Sequence, residues 1–311
     1  MQTKNNIFTK MSVKQSLIIP ALLVLATTAS GLALAITEKA KLGKQLFNDA
    51  SLSKDGTQSC ATCHDKEQAF IDTRNNITSY NNAPAAVALG QDGKSFGDIN
   101  VPSIAYAALM PEFYFNKEEG LFMGGLFLNG RAKNLVEQAK QPFLNPVEMQ
   151  TNAVQVVKKV QKKYAQTMQK LYGKDIFSDS EKAFDAIAES ITEFEKTAQF
   201  SPFNAKFDAF LQGKVQLSEL ELLGKKIFED EEKGNCAACH PVPTLKNTAQ
   251  ESLFTDFSYD NLGVPVNTEV RKLNGKGADF VDNGLFDNPM VNDVNLKGAF
   301  KVVSLRNGCT F

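Results

Sequence analysis

The hydrophobic positions fall into helical stripes. Phe184, Ile187, Ile191, Phe194 and Ala198 recur at steps of three and four residues, and Val154, Val157, Tyr164, Met168 and Leu171 form a second such series. At 3.6 residues per turn each set lines one face, so both segments are expected to be helices that bury that face in a core. A different pattern opens the chain: Lys4, Lys10 and Lys14 precede an apolar run from Leu17 to Ala35 that ends in Ala33-Leu34-Ala35. This is the layout of an export signal spanning residues 1–35 and cleaved after Ala35. The run is nearly the ~20 residues that span a bilayer, so an uncleaved anchor is the alternative, weakened by Pro20, Ser30 and Gly31. Either way the folded part of a bacterial chain is expected outside the cytoplasm, in the periplasm. Gly-, Asn- and Pro-rich stretches at Asn75 to Asn100 and Thr248 to Asn295 carry no sustained period and are expected to be long loops. No run alternates as a strand would, and the expected fold class is mainly α.

The chain also repeats itself. Leu42-Gly43-Lys44-Gln45-Leu46-Phe47-Asn48-Asp49 is echoed by Leu223-Gly224-Lys225-Lys226-Ile227-Phe228-Glu229-Asp230, and each copy leads into Cys-x-x-Cys-His. The motifs are Cys60-Ala61-Thr62-Cys63-His64 and Cys236-Ala237-Ala238-Cys239-His240, which begin 18 and 13 residues after the leucine of each copy. Two related modules are therefore expected, the second with the shorter approach to its cysteines.

Composition narrows what these modules do. The 43% hydrophobic and 22% charged content of 311 residues is that of a folded chain and excludes disorder or coiled coil as its main description. Removing residues 1–35, which hold three lysines and no acid, takes the net charge from −1 to −4, a balance that excludes nucleic acid as an expected partner. The two histidines are the only ones in the chain, and each directly follows a cysteine pair.

Cys-x-x-Cys-His is the attachment signature of c-type haem, in which both thiols add to porphyrin vinyl groups and the histidine ligates the iron. One helical turn brings both sulfurs and the imidazole to one porphyrin edge. A four-cysteine zinc site would not need a histidine after each pair, and a redox dithiol would not claim both histidines of the chain. Two covalently bound haems c are expected, on Cys60, Cys63 and His64 and on Cys236, Cys239 and His240. Cys309 is left as an ordinary thiol.

Between the motifs stand Phe127-Leu128-Asn129-Gly130-Arg131, Leu135, Gln138 and Asn145-Pro146-Val147-Glu148-Met149. Taken with the two haem motifs, the chain from about Ala40 to Asn307 resembles the bacterial di-haem cytochrome c peroxidase family, which includes the related methylamine-utilisation maturation enzyme. The resemblance implies two cytochrome c-like haem domains: a peroxidatic one over 36–200 and an electron-transfer one over 201–311. It implies reduction of hydrogen peroxide with electrons from a small periplasmic donor such as cytochrome c. It also places Glu148 and Gln138 in the distal pocket, the carboxylate handling the peroxide proton. From the residues alone, Asn145, Pro146 and Glu148 equally fit the N-cap, N1 and N3 of a helix, a capping box, and Gln138 fits a solvated face. Arg131 suits a haem propionate or a surface ion pair. The aromatic stretch Leu253 to Pro265 is expected to pack a loop on the second haem rather than bind substrate.

Three departures from that family matter. No third histidine exists to block the first iron, so the His64 haem is expected to be open to peroxide. Leu128 occupies the position of the family's inter-haem tryptophan, and aliphatic leucine cannot be oxidised as a relay, which leaves Phe127 or Tyr114 to serve. Finally, Lys301-Val302-Val303-Ser304-Leu305-Arg306-Asn307 resembles the start of a block that continues in relatives and supplies the second haem's other ligand. The C-terminal domain accordingly reads as truncated, with a natural short form as the alternative and Met290 a weak candidate for the ligand. Asn100 matches the surviving part of the family's calcium site. A homodimer is compatible with the resemblance, although no interface signal is visible. The rival readings are a non-catalytic di-haem electron carrier, which would want both irons six-coordinate, and a haem enzyme that oxidises another protein or a small molecule.

Overall fold

The computed structural model describes residues 36–72, 74 and 87–306. The expected export segment 1–35, residues 75–86 of the Asn75 to Asn100 stretch, and Cys309 lie outside the described residues. Helix α1 (Glu38–Phe47) is capped by Thr37, whose side chain accepts from the Ala40 N–H, with Glu38 in the electropositive first turn. Helix α2 (Cys60–Cys63) is a single turn, and β1 (Tyr114–Asn116) pairs antiparallel with β2 (Leu121–Met123). Three longer helices follow: α3 (Leu135–Leu144), α4 (Ala153–Tyr172) and α5 (Ser180–Glu195). The second half holds α6 (Lys206–Leu211), α7 (Glu219–Glu229), β3 (Tyr259–Asp260), α8 (Thr268–Leu273) and β4 (Phe300–Lys301). Strands β3 and β4 pair antiparallel, with Tyr259 opposite Lys301.

The fold is mainly α, as its periodicity predicts. The first stripe is α5, with Phe184, Ile187, Ile191 and Phe194 all buried; Ala198 falls beyond the helix in a 3₁₀ turn and is exposed, and Phe200 fills the core instead. The second is α4, where Val154 in the first turn is exposed and the buried face runs through Val156, Val157, Val160 and Met168. The two small sheets are a correction, because strands of two or three residues are too short for alternation to show in a sequence.

Helix α1 lies across α5. Its Leu42, Leu46 and Phe47 enter one apolar cluster with Ile187, Ile191 and Phe194, and the Phe47 and Phe194 rings meet edge-on at 5.4 Å. Each such side chain contributes roughly 1.5–3 kcal/mol by leaving water. The approach is close enough to require Gly43, where an added Cβ would sit 1.8 Å from the Ser190 carbonyl oxygen. Helix α7, the repeat's second copy, buries none of its residues: Leu223 is 52% exposed, Ile227 is 41% exposed, and nothing stands within 4 Å of a Cβ at Gly224. The copies thus share a helix and differ in what covers it.

A second cluster joins the halves. Phe113 stacks on Phe122 and packs with Tyr259, Leu285, Val291 and Ala299. Nearby in sequence terms but separate in the core, Arg306 forms a buried ion pair with Asp208 at 2.8 Å.

Candidate functional site

Helix α2 and its C-cap present the first cysteine-histidine motif. Ser59 and Thr62 close a capping box that starts the turn, and the His64 N–H closes it by donating to the Cys60 carbonyl at 2.9 Å. The His64 ring is fixed from behind. Its Nδ1 donates to the Phe70 carbonyl at 2.9 Å; a carbonyl can only accept, so the proton sits on Nδ1 and the Nε2 lone pair is free for iron. Burial lowers the pKa of His64, which favours the neutral, ligating form.

The second motif repeats this device with different chain. His240 Nδ1 donates to the Phe254 carbonyl at 2.7 Å, and Asp256 N–H donates to the Cys239 carbonyl at 3.0 Å. Phe70 (φ 59°) and Phe254 (φ 53°) both adopt the left-handed conformation, an unfavourable one for a bulky residue, and so turn their carbonyls toward a histidine. The Phe254 ring lies against Phe207 and Phe228.

Above the first motif sits Glu148. Residues 145–149 form a turn rather than the start of a helix: Asn145 ends α3, its carbonyl accepts from the Glu148 N–H, and its side chain accepts from the Val147 N–H. The capping-box reading is therefore wrong for this segment. Instead of capping a backbone, the Glu148 carboxylate accepts a 2.5 Å bond from Asn145 Nδ2. Burial raises its pKa, while the Asn145 bond and the Arg131 guanidinium pull it down. Its negative charge in turn raises the thiols of both Cys60 and Cys63, so the carboxyl lies within electrostatic reach of the haem-attachment turn.

Gln138 lies on α3, one turn before Pro142, and is half-buried with no hydrogen-bond partner for its side-chain amide among the described residues. Met149 N–H donates to the Pro142 carbonyl at 3.1 Å, which folds the Glu148 turn back against that end of α3. Arg131 stacks on Phe127 at 3.6 Å and donates to Gln141 and Asn129; it makes no ion pair among the described residues, which leaves its charge for a propionate.

Other expectations fare differently. Asn100 is exposed, and no group of three metal-binding side chains occurs among the described residues. Met290 is 63% exposed. Tyr114 is 44% exposed on the β1–β2 hairpin.

Sequence reasoning missed several groups. The carbonyls of Phe70 and Phe254 leave no trace in residue type. Glu195 is 4% exposed, has a buried Oε2 without a partner, and is pushed up to about 8 by burial; its charge raises the Cys60 thiol further. Arg74, paired with the buried Asp72 at 2.6 Å, reaches the Cys63 sulfur at 3.4 Å. All of this fits a haem: free thiols in pairs, and histidines whose Nδ1 bonds a backbone carbonyl and whose Nε2 lone pair is left for iron.

A family model for the di-haem cytochrome c peroxidases matches residues 37–216. The chain belongs to that family. Members bind two c-type haems, and the two cysteine-histidine turns hold one each. The chain is 43% identical over 271 residues to the methylamine utilization protein MauG of Paracoccus denitrificans, covering 86% of this chain and 67% of that protein. It is 29% identical over 272 residues to the cytochrome c551 peroxidase of Nitrosomonas europaea, covering 87% and 66%. Among solved structures, the diheme peroxidase BthA from Burkholderia thailandensis E264 superimposes with a TM-score of 0.77 at 29% identity, over 86% of this chain and 65% of that one. The chain thus spans about two thirds of the length of these di-haem relatives.

Proposed function

We propose that this di-haem family member is a c-type peroxidase that reduces hydrogen peroxide to water with two electrons from a small donor protein such as cytochrome c. The observation that carries this reading is the Glu148 carboxyl, held by Asn145 and within electrostatic reach of the turn that bears Cys60, Cys63 and His64. In this reading residues 36–200 form the peroxidatic domain, residues 201–311 the electron-transfer domain, and residues 1–35 direct export to the periplasm.

Bound haem iron supplies the site for peroxide and the redox chemistry. The chain supplies positions and protons. Cys60 and Cys63 hold the porphyrin, and the Phe70 carbonyl keeps His64 in the tautomer that ligates. Glu148, as carboxylate, takes a proton from incoming peroxide and returns it to the departing oxygen, a role its raised pKa suits because burial makes the carboxylate a stronger base than an exposed one. The free Gln138 amide orients peroxide or water, and Arg131 neutralises a propionate.

Haem-loaded protein is mixed with hydrogen peroxide and a reduced small cytochrome, and donor oxidation is followed. Peroxide-dependent oxidation that is lost in Glu148→Gln is the expected result; turnover that survives Glu148→Gln would overturn the assignment. The 43% identity to a methylamine utilization protein favours a second reading, in which the oxidising equivalents go to another protein or a small organic molecule. Peroxide consumption without cytochrome oxidation would select it.

A further inference from the structure

Leu128 stands where the resemblance puts an oxidisable tryptophan, yet it is not isolated from redox-active groups. Its carbonyl accepts from the Lys301 N–H at 2.8 Å, and Lys301 is the cross-strand partner of Tyr259. The Tyr259 ring is buried, with its hydroxyl donating to the Gly124 carbonyl at 2.6 Å. Lys301 Nζ donates to the same hydroxyl at 2.8 Å and also donates to the Gly124 carbonyl.

Contacts and charges lead from this pair toward both haem motifs. On one side, Asp256 bonds the Cys239 carbonyl, and the charges of Asp256 and Asp260, the latter adjacent to Tyr259, raise the Cys239 thiol. On the other side is Gly130, where an added Cβ would stand 2.1 Å from the Tyr259 hydroxyl, so the ring can approach only because that residue has no side chain. The next residue is Arg131, whose charge acts on Glu148, and the Glu148 charge in turn acts on Cys60 and Cys63. Neither Phe127, beneath Arg131, nor the exposed Tyr114 has such a position with a proton acceptor attached.

Resting on the peroxidase reading, we propose that Tyr259, with Lys301 as its proton acceptor, is the electron relay between the two haem sites. A phenol gives up an electron readily only if its proton leaves too. The Gly124 carbonyl accepts a hydrogen bond but cannot keep the proton, whereas a neutral lysine amine can. Burial supports the neutral form by lowering Lys301 to about 7. In each passage one electron leaves the Tyr259 ring for the site that peroxide has oxidised. The O–H first turns from the Gly124 carbonyl to the lone pair of the neutral amine, 2.8 Å away, whereupon the phenolic O–H bond breaks and an N–H bond forms on Nζ. An electron from the reduced His240 haem then restores the ring, and the proton returns from Nζ to the phenolate oxygen. Two passages deliver the two electrons that one peroxide consumes, the two protons for water coming from solvent.

The test uses the full haem-loaded chain with the His240 haem reduced. Hydrogen peroxide is added by rapid mixing, the oxidation of that haem is followed optically, and samples are freeze-quenched for electron paramagnetic resonance. The expected result is a tyrosyl signal that narrows on ring-deuterated tyrosine labelling and is lost in Tyr259→Phe, with inter-haem transfer slowed on the order of tenfold or more. Lys301→Met, which keeps the ring in place, should slow transfer comparably. Unchanged transfer in both variants, while peroxide still oxidises the His64 haem, would overturn the relay alone. Failure of the unmutated protein to react with peroxide would overturn the peroxidase reading and the relay together.

Discussion

Asn145 and Glu148 form a closed pair, in which the amide donates to the carboxylate at 2.5 Å while the Asn145 carbonyl accepts the Glu148 N–H at 3.1 Å. The asparagine therefore both positions the acid and stabilises its charged form. Burial acts in the opposite direction, and burial is the larger effect.

Removing the donor while leaving the acid should move the pH profile. A base is active as carboxylate, so activity falls as pH drops through its pKa. Asn145→Ala removes a bond that lowers that pKa, and the acid limb of peroxide turnover should shift to higher pH. Glu148→Gln should cost roughly 10²- to 10⁴-fold above the acid limb, with the loss shrinking as pH falls through it and the haem spectrum unchanged. Steady-state rates from pH 4 to 8 check both; an acid limb that stays put in Asn145→Ala would remove Glu148 from the proton-transfer role.

The two repeat glycines provide a matched control. Gly43→Ala drives a Cβ into the Ser190 carbonyl and should cost about 3 kcal/mol. Gly224→Ala meets open space in the middle of a helix and should gain roughly 0.5–1 kcal/mol. Denaturant midpoints of the two haem-loaded variants, compared with the parent, distinguish these opposite signs.

Arg306 and Asp208 test how far the second half depends on a buried charge. Their side chains are 2% and 11% exposed, so Asp208→Ala strands a buried guanidinium and should destabilise by about 3–5 kcal/mol. Replacing both by apolar residues should recover most of that loss. Equal damage from the single and double variants would show that Asp208 matters for some other reason.

Lys301 makes stability depend on pH in a predictable direction. Its folded-state pKa is about 7 against an ordinary 10.5, so between those values the unfolded chain holds the extra proton. Stability contributed by this group is present above pH 10.5 and is lost as pH falls toward 7. Tyr259 is the titratable side chain in hydrogen-bond contact with its amine among the described residues. Relative to Lys301→Met, the parent should therefore gain stability as pH is raised from about 7 to 10; a difference that is flat with pH would mean the amine stays charged in the fold.

What the sequence made legible was local. The α5 stripe and the two haem turns follow from periods and spacings within a few residues, and the structure keeps both. The Asn145 segment misled for a physical reason: an asparagine whose side chain accepts a nearby N–H starts a turn as readily as a helix, and the four-residue pattern is shared. The histidine-orienting carbonyls of Phe70 and Phe254 could not be read, since every residue carries a carbonyl and only the backbone conformation selects one. Tyr259 and Lys301 were invisible as a pair because 42 residues separate them and two-residue strands join them.

Cysteine sulfur is nucleophilic as thiolate. In the closed fold Cys63 is pushed up to about 12 and Cys60 is raised by burial even more strongly, with Glu148 and Glu195 adding to the penalty. A chain that has already folded thus holds its first pair in the unreactive protonated form, whereas Cys236 remains exposed. Attachment at Cys60 and Cys63 is therefore expected to be faster on a chain that has not yet closed around them than on the folded one.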